Sequence, residues 1–273
     1  MLHAGRRAFV FVIAIALCTT TAAAQTVQLD ARYVVSMSGN IIAQLDFAYA
    51  DNGRSFAIDL DARVAGLGQF VASGSATASA SGRSAANALS GEDFQLETRT
   101  SEGRFSIAVT YQGGNVNSFV VNPPLPLRID RIPIERRHLT GVNDMLSAFI
   151  VKGSVLDASV CNRQLKIFNG TERFDLVMRF AAMENATSAR TGYQGPVVLC
   201  QIEYQPISGH FSTSEVTTYL QNSDRILIWY APVNDSGTFI PYRVLVGTSI
   251  GDVGAGVHAT AAIGFALFHR ERT

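Results

Sequence analysis

The sequence predicts an all-β, mainly antiparallel protein: a curved or spiral, barrel-like sheet with one short amphipathic helix. Three observations carry that expectation. Apolar residues recur at every second position in many short runs, turn residues separate those runs, and helical periodicity is confined to one stretch.

Val27, Leu29, Ala31, Tyr33 and Val35 alternate before a turn at Ser38-Gly39-Asn40. The pattern resumes from Ile42 to Ala50, turns at Asp51-Asn52-Gly53, and returns through Phe56, Ile58, Leu60, Ala62 and Val64. Alternating runs joined this way form a β-meander. The stretch from Val71 to Ser90 is rich in Ala, Ser and Gly; strands are favoured through Ser79, with a loop as the alternative. Phe105, Ile107, Val109 and Tyr111 make another strand, followed by Gly113-Gly114 and a return from Phe119 to Val121.

Asn122-Pro123-Pro124-Leu125-Pro126 cannot sit inside a sheet, because proline lacks the ladder donor. Residues 122–137 are therefore the natural internal boundary of what otherwise reads as a single β domain over 25–273. The helix is expected at roughly 140–151. Thr140 or Asn143 caps it, Val142, Met145, Leu146, Phe149 and Ile150 share one face, and Gly153 lies beyond its end. Asp144 then sits near the positive end of the helix dipole.

The second half returns to strands. Asn169-Gly170, between Leu165/Ile167 and Phe174/Leu176/Phe180, is a strong hairpin signal. Further strands are expected at 197–204, 216–220, 226–230, 242–248 and 257–268. The glycine-rich run from Gly251 to Gly256 reads as the turn between the last two. Trp229 and Tyr230, ahead of Ala231-Pro232, are expected to close a core, or alternatively to line the mouth of a ligand cavity.

The ends of the chain point to export. Arg6 and Arg7 make a positive start, Ala8 to Leu17 is apolar, and Ala22-Ala23-Ala24 supplies the small residues needed for cleavage before Gln25. That apolar run is about half of what a membrane-spanning helix requires, so residues 1–24 read as a cleaved signal peptide and the mature chain as periplasmic. Lipidation of Cys18 is disfavoured by Leu17 before it. Arg6-Arg7-Ala8-Phe9-Val10 is a partial twin-arginine signal, and general secretion stays ahead of it.

Cleavage removes two arginines and no acid from a balanced chain of 22 bases and 22 acids. A slightly acidic product argues against nucleic acid as a partner. Hydrophobic residues make up 47% of the chain, enough for a substantial core. No mature segment is apolar over 18 residues, so no integral membrane helix is expected. Cys18 is also lost, leaving Cys161 and Cys200, which an oxidising compartment pairs. Their separation lacks the proximity of a C-x-x-C redox site, so the bridge reads as a structural staple.

Catalytic chemistry has little foothold. The chain has no G-x-S-x-G, H-E-x-x-H, P-loop or G-x-G-x-x-G motif, and no catalytic residue, metal ligand or cofactor is assigned. His138, His210, His258 and His269 are scattered. His210 with Glu203 is the best acid–base pair on offer, and a locally bonded histidine is the plainer reading. Asp175 is expected to pair with Arg173 or Arg163 across the hairpin. The sequons at Asn169, Asn185 and Asn234 carry no meaning in a bacterium without the matching transferase.

Six stretches stand out: Asn143-Asp144-Met145-Leu146-Ser147-Ala148; Cys161-Asn162-Arg163-Gln164-Leu165-Lys166-Ile167-Phe168-Asn169-Gly170 with Arg173-Phe174-Asp175-Leu176; Cys200 to Gly209; and Ile228-Trp229-Tyr230-Ala231-Pro232 with Ile240-Pro241-Tyr242-Arg243. Together they resemble the domain-of-unknown-function family numbered 3108, uncharacterised proteobacterial periplasmic proteins. The family usually has proline where Met145 stands. The resemblance spans most of the mature chain and implies a Cys161–Cys200 disulfide in an all-β envelope protein. By looser analogy it is similar to envelope-integrity proteins built on a spiral sheet. It supplies no catalytic residues.

The expected function is a non-enzymatic periplasmic protein supporting cell-envelope integrity, with a lipid, lipoprotein or peptide bound on the curved sheet. Its ligand-binding residues are not assigned. A hydrolase with an unrecognised site and an outer-membrane β-barrel are the alternatives.

Overall fold

The computed structural model describes residues 26–66, 74–101, 103–188, 192–248 and 251–256. The expected signal peptide and the strand at 257–268 lie outside them. Seven strands form the first half: β1 (Val27–Met37), β2 (Asn40–Asp51), β3 (Ser55–Val64), β4 (Gly74–Ser84), β5 (Leu89–Thr100), β6 (Gly103–Gln112) and β7 (Asn115–Asn122). Each pairs antiparallel with the next. The second half holds β8 (Val151–Lys152), β9 (Arg163–Phe168), β10 (Arg173–Ala186), β11 (Gly195–Ser208), β12 (Ile226–Pro232), β13 (Thr238–Thr248) and β14 (Gly251–Gly256). A single sheet runs β7-β6-β5-β4-β3-β2-β1-β14-β13-β12-β11-β10-β9, with β8 paired to β13 off that path.

The predicted fold class holds: a mostly antiparallel sheet with, among the described residues, one α-helix. The sheet is not closed strand to strand. Its two edges, β7 and β9, lie on either side of residues 140–143. Thr140 bridges Asn115 on one edge, and Asn143 bridges Ile167 on the other. Val142 donates its N–H to the Gly114 carbonyl at 2.7 Å, and Asn143 donates to the Lys166 carbonyl at 2.9 Å. The Phe119 and Phe168 rings meet edge-on across the seam, 5.2 Å apart. Bonding both edges to one segment leaves fewer unpaired strand groups exposed to other chains.

That segment corrects the helix prediction. Residues 140–151 form no α-helix; only a single 3₁₀ turn occurs, at Ser147–Phe149. The periodic apolar residues are real core residues, but Val142 and Asp144 to Val151 are all buried. An amphipathic helix would have to turn a polar face into that packing, so the chain stays irregular. The Asp144 carboxylate instead accepts the N–H groups of Leu146 (2.8 Å) and Ser147 (2.7 Å). The α-helix, α1, lies at Glu215–Gln221, where a strand was expected. Ser214 caps it, its hydroxyl accepting the Thr217 N–H.

The glycine-rich run is a second correction. Gly251–Gly256 is not the turn but β14, which pairs with β13 on one side and β1 on the other. Glycine weakens a strand and so disguised it in the sequence. This strand joins the two halves into one sheet.

One buried cluster draws residues from β1 through β14, including Tyr33, Tyr49, Phe94, Phe105, Ile167 and Ile228. Aromatic and aliphatic side chains of both halves therefore share a core, and residues 122–137 are laced to it. Ile132 donates to the His210 carbonyl at 2.9 Å and Gly209 donates to the Ile132 carbonyl at 2.8 Å.

Packing is tight where β5 meets the closing segment. The Gly91 N–H donates to Asn143 Oδ1 at 3.0 Å, and a Cβ on Gly91 would lie 2.3 Å from Asp144 Oδ2. We expect Gly91→Ala to cost about 1–3 kcal/mol by overpacking, read as a lower chemical denaturation midpoint; an unchanged midpoint would show that the seam is slack.

Candidate functional site

Alternation gives each strand of the first half an apolar side and a polar side. Phe56, Ile58, Leu60 and Ala62 of β3 are buried, whereas Asp59 and Asp61 between them are exposed. Register then sets the polar residues in rows across the strands. One row runs from Asp30 through Ala48, Asp59, Ser79 and Gln95 to Ala108. The next runs from Arg32 through Asp46, Asp61, Thr77 and Glu97 to Ser106.

These rows line a groove of about 1030 Å³, bounded by residues from Asp30 on β1 to Val120 on β7. Small side chains explain the hollow. Ala48, Thr77, Ser79 and Ala108 stand where larger residues would fill it, and β4 is small on both faces from Gly74 to Gly82. Its inward Ala76, Ala78 and Ala80 let the core pack close to the backbone.

The charges are unevenly satisfied. Asp46 accepts Arg32 Nε and Arg63 Nη2, both at 2.7 Å. Those arginines hold its carboxyl below the usual carboxylate range. Glu97 is held low in the same way by Arg99, at 2.7 Å, and by Arg104. Asp30, Asp59 and Asp61 form no ion pair among the described residues. With Asp46 opposite Asp61, the centre of the groove is acidic.

The residues singled out in the sequence lie elsewhere. Cys161 and Cys200 are joined, with Cα atoms 5.4 Å apart, tying the turn after Ala158–Val160 to β11. Asp175 pairs with Arg173, not Arg163, and accepts Gln164 Nε2 at 2.7 Å. Both members are nearly buried. Arg163 instead lies near the buried Tyr230, its Nε without a hydrogen-bond partner among the described residues. Glu203 is engaged by Arg179 and Gln205 on the exposed face of β11. Tyr230 enters the main core, and Trp229 joins a second cluster with Ala186, Val197, Ala231 and Tyr242 on the other side of the sheet. His258 and His269 fall outside the described residues.

Asp144 is the buried carboxyl of the seam. Burial pushes its pKa up, against the pull of the Ser147 hydroxyl and the backbone donors of Ser147 and Leu146. A raised carboxyl favours the folded state most when protonated. Its contribution is full below the ordinary carboxylate range and fades as pH rises through the folded value. We therefore expect Asp144→Asn, which keeps an acceptor for both backbone N–H groups, to flatten this part of the stability–pH profile. Parallel profiles for the two proteins would contradict that role.

A smaller hollow of about 530 Å³ lies beside α1, between Ser212 and Arg225. It is built from one continuous segment of chain and collects no charge from the sheet. Among the described residues, no group of three or more His, Cys, Asp or Glu side chains could hold a metal ion. No described helix is long and apolar enough to cross a membrane.

No curated protein matches the chain. A solved beta-barrel-like protein of domain of unknown function DUF1849 from Brucella abortus is similar at 11% identity, over 84% of this chain and 95% of that one, with a TM-score of 0.47. The family model for proteins of unknown function, DUF3108, matches residues 25–257, and the chain belongs to that family.

Proposed function

We propose that this chain is a non-enzymatic periplasmic protein that supports cell-envelope integrity by holding an extended ligand in the groove across β1–β7. The observation that carries this reading is where the hollow lies. The apolar side of the sheet is filled by its own side chains, while the large groove opens on the charged side.

Of lipid, lipoprotein and peptide, the groove suits a polypeptide, free or as part of a lipoprotein. An acyl chain laid there would strip water from Asp30, Asp59 and Asp61 and return no hydrogen bonds, a large cost for charged groups. Neither described histidine, His138 nor His210, lines the groove, and its two arginine-held carboxyls are kept ionised. A hydrolase would need a general acid or base poised near neutral pH. An outer-membrane barrel turns its apolar side chains outward to lipid. In β1–β6 they face the core.

The test is a photoreactive residue, p-benzoylphenylalanine, placed at Ser79 in the groove or at exposed Lys166 on β9, with irradiation of intact cells. The reading predicts a discrete adduct from position 79 that Ala48→Trp abolishes without lowering the melting temperature. Equal adducts from both positions, or a position-79 adduct untouched by Ala48→Trp, would move the site away from the groove.

A further inference from the structure

We infer that the ligand of this groove is a basic, extended polypeptide segment, an assignment that rests on the groove being the binding site. Five carboxylates line it against two arginines, Arg32 and Arg104. Those arginines are already spent on Asp46 and Glu97. Arg63 and Arg99 reach the same two carboxylates from outside the lining and leave Asp30, Asp59 and Asp61 unpaired among the described residues. Covering the groove with a neutral or acidic ligand would desolvate Asp30, Asp59 and Asp61 with nothing to compensate them, so the ligand must bring the cations.

The spacing fits an extended chain. Asp59 and Asp61 lie two residues apart on one strand, about 6.7 Å, which is also the distance between same-side residues of an extended peptide. Asp30 sits two strands from Asp59, about 10 Å away. Lysine or arginine side chains at alternate positions reach all three. In the same rows as the carboxylates stand Thr77, Ser79, Gln95 and Ser106, which both donate and accept hydrogen bonds. A peptide backbone answers both needs, whereas a linear polyamine offers donors alone. A neutral sugar brings no cation.

Binding is measured by fluorescence anisotropy on the disulfide-bonded chain 25–273, using the labelled decapeptides (Lys-Ser)5, (Gln-Ser)5 and (Glu-Ser)5, with spermine as competitor. We expect (Lys-Ser)5 to bind at least tenfold more tightly than (Gln-Ser)5, and (Glu-Ser)5 not to bind. The triple change Asp30→Asn, Asp59→Asn and Asp61→Asn should weaken (Lys-Ser)5 about tenfold, at two- to threefold per exposed pair. A triple change of the same charge elsewhere (Glu215→Gln, Asp224→Asn, Asp235→Asn) should leave it within twofold.

Equal loss from both triples would overturn the inference, because net charge alone would explain binding. Equal affinity for (Gln-Ser)5, abolished by Ala48→Trp, would overturn the basic ligand while keeping the groove. Spermine binding as tightly as the decapeptide would overturn the polypeptide. Tight binding of (Lys-Ser)5 that Ala48→Trp leaves intact would overturn both the inference and the groove.

Discussion

Replacing Cys161 and Cys200 together by alanine should lower stability by about 4 kcal/mol, the chain-entropy value for a loop of about 40 residues. For a domain of this size that is a fall in melting temperature of roughly 8–16 °C. Both cysteines are fully buried in the main cluster. The bridge joins the chain just before β9 to β11, while β10 pairs with both strands. It therefore pins three neighbouring strands at the β9 edge of the sheet, where the 140–143 segment takes the place of a further strand. The comparison is thermal unfolding of the oxidised protein, the reduced protein and the alanine pair. Oxidised protein that melts with the other two would remove the staple from the account.

Lys152→Ala should cost about 3–5 kcal/mol, the usual penalty for stripping one member from a buried ion pair. Lys152 Nζ lies 2.7 Å from Asp51 Oδ2, with the two side chains only 8% and 1% exposed. The same carboxylate accepts the Tyr49 hydroxyl (2.8 Å), the Ser84 hydroxyl (2.8 Å) and the Gly53 N–H (2.7 Å). Lys152 also donates to Thr238 Oγ1. This network ties β2 and β4 of the first half to β8 and β13 of the second. Without the ammonium, Asp51 stays buried with neutral donors alone. The double variant Asp51→Asn, Lys152→Met should recover part of the loss, because neither charge is then stranded.

The pH dependence has a definite sign. Burial pushes the Asp51 carboxyl up, but Lys152, Gly53, Ser84 and Tyr49 together outweigh it and hold the carboxyl below its ordinary value. Its stabilisation is present above the ordinary carboxylate pKa and is lost as pH falls through the lower folded value. Denaturant midpoints at falling pH test both points. A Lys152→Ala midpoint equal to wild type at neutral pH would show the pair to be idle.

Much of this architecture is legible in the alternation. Val27 to Val35 and Phe56 to Val64 predict strands whose odd or even residues enter the core, and they do. The Asn169-Gly170 hairpin is also direct: Asn169 Oδ1 gathers the N–H groups of Thr171 and Glu172, and Gly170 takes φ +97°. Where local pattern misleads, tertiary packing wins. Residues 142–151 have helical spacing, yet all but Asn143 are buried, and β14 is a strand despite its glycines because β1 and β13 flank it. The groove is the least legible part. Asp30, Asp59 and Asp61 look like ordinary solvated positions until register sets β1 and β3 on either side of β2. The small residues of β4 announced themselves only as weak packing material.

Native mass spectrometry of the mature protein, isolated gently from its compartment beside the Ala48→Trp variant, tests the groove most directly. The account predicts a reproducible non-covalent polypeptide mass on the wild-type protein, lost on denaturation and absent from the variant, while both proteins melt together. A bare wild-type mass, or a ligand carried equally by the variant, would contradict it.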